Sequence, residues 1–411
     1  MINQLAGSAF RLRFAGSSIS YQSFPEMNLG SLIVPSRMAR AGVRGLVALA
    51  TILMLIGGLR AAAQGPTLAP SWTQQSPAVS PPARYIDGIT YDAAHSQVVL
   101  FGGFGTGILD DTWLWNGTTW TQANPATSPS ARDTFGMTYD GAHTQVVLFG
   151  GRSSASSWLG DTWLWNGTTW AQASPAASPT SRSNMSMVYD AAQGNVVLFG
   201  GLVNGLAAND TWIWNGTTWT QVTPAHSPTA RGTYSMVYDP THSQVVLFGG
   251  VDAGGNDLSD TWTWNGTDWT QQSPATIPGA RFGQGMAFDA AQGNVVMFGG
   301  DSPSGFLNDT WVWNGTNWTQ VNSPASPSSR EVNGGMTYDT ATGQILLFGG
   351  FNAPTQYSDT WNWGLQQNLG NVNVCPSGQS TPAPCSNTIS LTYNVSGATY
   401  FGTPQIGRAH V

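Results

Sequence analysis

The sequence predicts an all-β protein assembled from six copies of a four-stranded unit, and three observations carry that expectation. Phe-Gly-Gly recurs with its Phe at 101, 149, 199, 248, 298 and 348, a spacing of 48 to 50 residues. Each copy runs in one order: Arg, then [MI]-x-[YF]-D, a short turn, a run such as QVVLFGG, a variable stretch, DTWxWNGTxW and a Pro/Ser linker. The four apolar or aromatic segments per copy are short and bounded by turn residues, as strands are.

In the second copy the first strand reads FGMTYD (135–140) and the second QVVLFG (145–150), joined by Gly-Ala-His-Thr, a hairpin-length loop. The third, DTWLW (161–165), meets the fourth, TTWAQ, through Asn166-Gly167, the strongest short hairpin signal because both turn positions need positive φ. The paired glycines suit a strand end that needs positive φ or close backbone approach. A four-stranded unit with two apolar faces cannot bury them alone, so the copies stack on one another.

The Gly-Gly ending a hydrophobic strand, the aromatic third strand and the Trp a few residues later resemble kelch repeats, over residues 71 to 364. The resemblance implies a six-bladed kelch-type β-propeller around a central channel. Eighteen of the 19 tryptophans occupy repeat positions; only Trp158 does not. The sixth copy ends at Trp363 without a fourth strand, while SWTQQSP (71–77) matches the missing one. Ser71 to Gln75 is therefore expected to close the ring through Trp72 and remove an open sheet edge.

Only 9% of the 411 residues are charged, and there is no Lys: all 14 cations are Arg. From Gln64 to Gln405 seven Arg face 19 Asp and one Glu, a net of −13, which argues against nucleic acid and anionic membranes as partners. Gly45 to Leu59 is a 15-residue apolar run behind Arg40 and Arg44, followed by three alanines, the pattern of a secretory signal peptide. It is short of the roughly 20 residues that span a bilayer. Residues 38–63 form that signal, cleaved or kept as an anchor; 1–37 are a leader or an upstream mis-assigned start, and 64–70 a linker. Cys375 and Cys385, spaced C-x9-C, suit a disulfide in an oxidising compartment.

Twelve aspartates are repeat positions: 92, 140, 190, 239, 289 and 339 after the aromatic, and 111, 161, 210, 260, 309 and 359 before Thr-Trp. Six-fold repetition marks scaffold, as it does for Arg84, Arg132, Arg182, Arg231, Arg281 and Arg330, each expected to pair with a repeat aspartate. The resemblance also allows some of these arginines a ligand-face role. His95, His143 and His242 share one turn position and His226 lies in a linker, so no metal-ligand cluster is expected. Asn-Gly-Thr at 116, 166, 215, 265 and 314 reads as a hairpin turn or, in a eukaryotic secretory protein, as a glycosylation acceptor. The turn is favoured, because a Lys-free, Ala/Gly-rich exported chain is bacterial in character.

The copies differ chiefly after Gly-Gly, and variable loops on a fixed frame carry function. The resemblance places these loops on the face where the inner strands begin. Candidate ligand contacts are Phe104, Arg152, Trp158, Asp252, Asp301, Phe306, Phe351 and Tyr357, with Asp87, Asp133 and Glu331 just after the repeat arginines. Aromatics beside carboxylates suit a sugar or a peptide.

Residues 365–405 change character; alternation in ISLTYNV reads as a strand, and the segment resembles the start of a bacterial Ig-like module, hence an incomplete β-sandwich segment. A full sandwich needs about 100 residues. The last six, IGRAHV (406–411), match the translation of a common sequencing-adapter end, so the chain is expected to be a fragment.

The function expected is a secreted or cell-surface binding propeller, non-enzymatic, without cofactor, monomeric, taking a protein or glycan on its loop face within a larger protein. The rival class is an enzyme on the same fold. Copper oxidases related to galactose oxidase need a Cys-modified Tyr and imidazole ligands, whereas 71–364 contains no Cys and its histidines sit in turns and a linker. A sialidase needs an acidic pair and Asp-box turns, also missing. A mutarotase- or epimerase-like activity and a spacer without ligand remain the alternatives.

Overall fold

The computed structural model describes residues 11–14, 17–20, 69–373 and 388–394. The chain divides into two units, Met1–Gly65 and Pro66–Val411. In the first, Arg11–Phe14 pairs antiparallel with Ser17–Ser20. The expected signal peptide, Cys375, Cys385 and the terminal hexapeptide lie outside the described residues, as does most of the segment expected to open a sandwich. No helix among the described residues is long and apolar enough to cross a membrane.

The second unit is a six-bladed β-propeller. Blade 1 consists of Gly88–Asp92, Gln97–Phe101, Thr112–Trp115 and Trp120–Gln122, hydrogen-bonded in that order. Blades 2 to 5 repeat it, with inner strands Gly136–Asp140, Ser186–Asp190, Ser235–Asp239 and Gly285–Asp289. Val98, Val99, Leu100 and Phe101 are all fully buried, because the second strand faces a neighbouring blade on each side and so shows no alternation.

Two local devices shape each blade. The repeat aspartate after the aromatic caps the first turn: Asp190 Oδ1 accepts from the Ala192 and Gln193 amides at 3.1 and 3.3 Å. In the Asn-Gly hairpin, Asn116 Oδ1 accepts from the Thr118 and Thr119 amides, both at 3.0 Å. Gly167, at φ +95°, has a further reason to lack a side chain: a Cβ there would enter the ring of His95 from blade 1. His143 stands the same way against Gly216, and His242 against Gly315. The turn histidines are thus contacts between blades, each also bonded to its repeat aspartate, as His95 Nδ1 is to Asp92 Oδ2 at 2.8 Å.

The core lies between blades. One cluster joins Val99 and Phe101 of blade 1 to Phe135, Val146, Leu148, Trp165 and Trp170 of blade 2. The fourth-strand Trp donates its Nε1 proton to the third-strand Thr of the preceding blade: Trp170 to Thr112 at 3.0 Å, Trp219 to Thr162 at 3.0 Å, Trp318 to Thr261 at 2.9 Å. It also packs at an angle on that blade's Phe, as Trp170 does on Phe101 with centroids 5.3 Å apart. Such aromatic pairs add about 0.5–1.5 kcal/mol each beyond area burial.

The repeat arginines clamp each blade from within. Arg132 is fully buried, binds Asp161 at 2.7 and 2.9 Å, and donates to the Gly150 carbonyl at 3.0 Å. Trp163 Nε1 donates to the same carboxylate at 2.6 Å. Burial opposes ionisation of Asp161, yet the Arg132 hydrogen bonds and charge, with Trp163, hold its carboxyl below the usual range.

Blade 6 is completed from the other end of the repeat region. Ala69–Gln75 pairs with the third strand, Thr360–Asn373, from Gln75↔Thr360 to Ala69↔Gln366. The closing strand begins two residues earlier than the sequence pattern suggests, because the third strand continues past Trp363 and offers backbone partners there. The extension also pairs with Thr388–Asn394, the strand expected from ISLTYNV.

Candidate functional site

The geometry of one face follows from six bridges, one per blade. The residue after each repeat arginine pairs with the residue after Gly-Gly: Tyr85 with Phe104, Asp133 with Arg152, Ser183 with Leu202, Gly232 with Val251, Phe282 with Asp301 and Glu331 with Phe351. The variable loops and the inner-strand starts therefore share one face, around the mouth of the channel.

That mouth is chemically lopsided. On blades 3 and 4 it carries Ser183, Leu202, Gly232 and Val251. On blades 5, 6 and 1 it is aromatic and acidic. Tyr85 stacks on Phe351 with centroids 4.7 Å apart and meets Phe104 edge-on at 5.8 Å; Phe306 meets Phe351 edge-on at 5.9 Å. All four rings are half-buried. Beside them Glu331 is pushed up to about 7 by burial, despite a 2.6 Å hydrogen bond from Asn333 Nδ2, and the negative Asp301 adds to the effect. Burial, with Glu331 and Asp133 nearby, raises the Tyr85 hydroxyl as well.

Beneath the mouth lies a cavity of about 470 Å³ along the ring axis, lined by inner-strand residues that include Met137, Met187, Met236, Met286 and Met336. Its volume is in the range of small-molecule sites. At the mouth the blades are tied by backbone bonds between left-handed residues: Thr134 N to Ile86 O at 3.1 Å, Asn184 N to Thr134 O at 2.8 Å, Thr233 N to Asn184 O at 2.9 Å, Gly283 N to Thr233 O at 3.0 Å and Asn333 N to Gly283 O at 3.0 Å. Among the described residues no such bond joins Ile86 to blade 6.

The candidate residues fall into three groups. Phe104, Asp301, Phe306, Phe351 and Glu331 gather on the blade 5–6–1 side. Asp133 is buried and ion-paired with the half-exposed Arg152 at 2.7 Å, next to Tyr85 in the ring; Trp158 pairs with Arg152 farther out and faces Gly205 of blade 3. Asp87 is buried below the mouth and lines the cavity.

Two other candidates serve the frame. Asp252 Oδ1 accepts from the Gly254 and Asn256 amides at 2.8 and 2.9 Å, and hydrogen bonds from Asn256 hold its carboxyl below the usual range. Tyr357 lies under the Arg330 guanidinium at 3.8 Å and accepts the Arg84 amide at 3.1 Å, the place Leu109 and Leu159 take in blades 1 and 2. Tyr85 and Phe282 belong to the mouth but escaped the sequence reading; comparing the residue that follows each repeat arginine would have found both. Among the described residues no three His, Cys, Asp or Glu side chains cluster as a metal site would require.

Residues 214–394 match the family model described as the KLHDC2/KLHL20/DRC7 Kelch-repeats domain, so this part of the chain is similar to kelch repeats. No curated protein matches the chain. Kelch propellers are in general protein-interaction scaffolds.

Proposed function

We propose, taking a six-bladed propeller with kelch-like repeats as the starting point, that the chain is a non-enzymatic binding module that grips a protein or peptide segment on its loop face. One observation carries the reading: half-exposed Tyr85, Phe104, Phe306 and Phe351 adjoin Glu331 and Asp301 on one side of the mouth. Aromatics anchor interfaces at small entropic cost, and carboxylates at their edge favour cationic partners. The apolar run behind Arg40 and Arg44 supports a place outside the cytoplasm, secreted or on the cell surface.

The test selects peptides from a random display library on the full chain, then repeats the binding with Phe351→Ala and Tyr85→Ala. Saturable binding weakened roughly tenfold or more by both supports the reading. Binders indifferent to both, or none at all, overturn it, the latter in favour of a spacer.

A second reading draws on Glu331, whose carboxyl near neutrality is what a general acid or base needs. A sugar mutarotase or epimerase would use it, and turnover of a monosaccharide lost in Glu331→Gln would replace the binding module with an enzyme.

A further inference from the structure

The seam between blades 6 and 1 departs from the other five at Asp87. At the third position after the repeat arginine, blades 2, 4 and 5 fill the space beneath the preceding Phe-Gly-Gly. Phe135 lies edge-on to Phe101 at 5.7 Å, the Tyr234 hydroxyl donates to the Phe199 carbonyl, and Gln284 Nε2 donates to the Phe248 carbonyl at 2.8 Å. In blade 1 the position is Asp87. It is 3% exposed, and neither carboxylate oxygen has a hydrogen-bond partner in another residue. The hydrogen bonds of Arg84 run elsewhere, to Asp111, the Gly102 carbonyl and the Pro82 carbonyl, and only its charge acts on Asp87, opposing the effect of burial.

The surrounding backbone is also particular. Blade 6 carries one more residue between Arg330 and Met336 than blade 1 has between Arg84 and Ile89. Asn333 and Gly334 form a turn there, with Gly334 at φ +96°, and a Cβ on Gly334 would lie 2.8 Å from the Asp87 carbonyl. This is where the ring of interblade backbone bonds is interrupted. Asp87 lines the channel cavity together with apolar Ile89 and Met336.

We propose that Asp87 anchors an ammonium-binding site at the channel mouth, which takes a primary aliphatic amine, either a lysine side chain or a small free amine. A buried carboxylate without a partner is costly when ionised, and burial accordingly pushes Asp87 up to about 7. A compact ammonium provides the missing donor, while its methylene stem lies along the apolar lining. Glu331 and Asp301 at the rim disfavour an anion. The site rests on the reading of the loop face as the binding face.

The full chain is titrated calorimetrically at pH 7.5 with N-acetyl-lysine methylamide and n-butylamine, and with their neutral isosteres N-acetyl-norleucine methylamide and n-butanol. The same titrations are run on Asp87→Asn and on Asp252→Asn, whose carboxylate is held in its own turn. Saturable amine binding is expected, at least roughly tenfold weaker for the isosteres and in Asp87→Asn, and unchanged in Asp252→Asn. Binding of the lysine derivative alone identifies a peptide side chain as the source; equal binding of butylamine identifies small amines. Equal affinity for the isosteres, retention in Asp87→Asn, or no amine binding up to about 10 mM overturns the proposal. Should Asp87→Asn fail to fold, the carboxyl carbon resonance of Asp87 in the unaltered chain decides, since an amine that binds there must shift it. A selected peptide that depends on Phe351 and not on Asp87 leaves the loop-face reading intact and removes the ammonium site alone.

Discussion

Trp72 Nε1 donates to Thr310 Oγ1 at 2.9 Å across 238 residues of chain. The indole also meets Phe298 edge-on at 5.1 Å, the relation that Trp170 has to Phe101 between blades 1 and 2. On the other side of blade 6, Trp120 donates to Thr360 at 3.0 Å and packs on Phe348 at 5.1 Å. The blade assembled from both ends of the repeat region is thus bonded to its neighbours as the continuous blades are.

Trp72→Phe is expected to cost about 1 kcal/mol through the lost hydrogen bond, and Trp72→Ala about 3–5 kcal/mol through the cavity left behind. Urea unfolding of the full chain measures both. Equal losses for Trp72→Ala and an exposed control such as Leu206→Ala would show that the ring does not depend on its closing strand.

Gly167→Ala places a Cβ at φ +95° and against the His95 ring, and a loss of about 2 kcal/mol or more is expected. A double-mutant cycle with His95→Ala separates the two causes: relieving the clash restores part of the loss, while the backbone strain remains.

Arg132→Met leaves Asp161 with Trp163 alone beneath the Gly150 carbonyl, and a loss of about 3–5 kcal/mol is expected. Removing both charges in Arg132→Met/Asp161→Leu should cost less than the single change. The folded Asp161 carboxyl lies below its unfolded value, so its contribution is present above the ordinary range near 4 and is lost as pH falls through the depressed folded value. The double variant should therefore lose less stability in strong acid.

Asp87 behaves in the opposite sense. Its folded value, about 7, lies above the unfolded one near 4, so the native state holds the proton longer and stability falls as pH rises through that window, then levels. Asp87→Leu should flatten this descent by an amount on the order of 3 kcal/mol between pH 4 and 8. Thermal unfolding at both ends checks it, and an unchanged slope would show that the carboxyl ionises freely. Glu331, also near 7, adds a smaller descent of the same sign.

The repeat, the strand order within each blade and the closing role of Trp72 were legible in the amino-acid sequence because each depends on local pairing or on exact recurrence. Phe-Gly-Gly, Asn-Gly and DTWxW state where strands end and turn, and a copy lacking its fourth strand beside a spare fourth strand states how the ring closes. What recurs six times could be recognised as frame, whereas the mouth is made of residues that do not recur. Tyr85 touches Phe351, and Gln356 Nε2 donates to the Gly105 carbonyl at 3.1 Å, only because curvature brings blade 6 beside blade 1. Ile86 and Thr134 adopt left-handed backbone against their β-branched preference, held there by bonds between blades. Asp87 likewise stands in the sequence only as one of three candidate carboxylates just after the repeat arginines, with nothing to set it apart from Asp133 and Glu331. Its burial without a partner was decided by the tertiary structure, which seats that position beneath the neighbouring blade and places an extra residue of blade 6 against it.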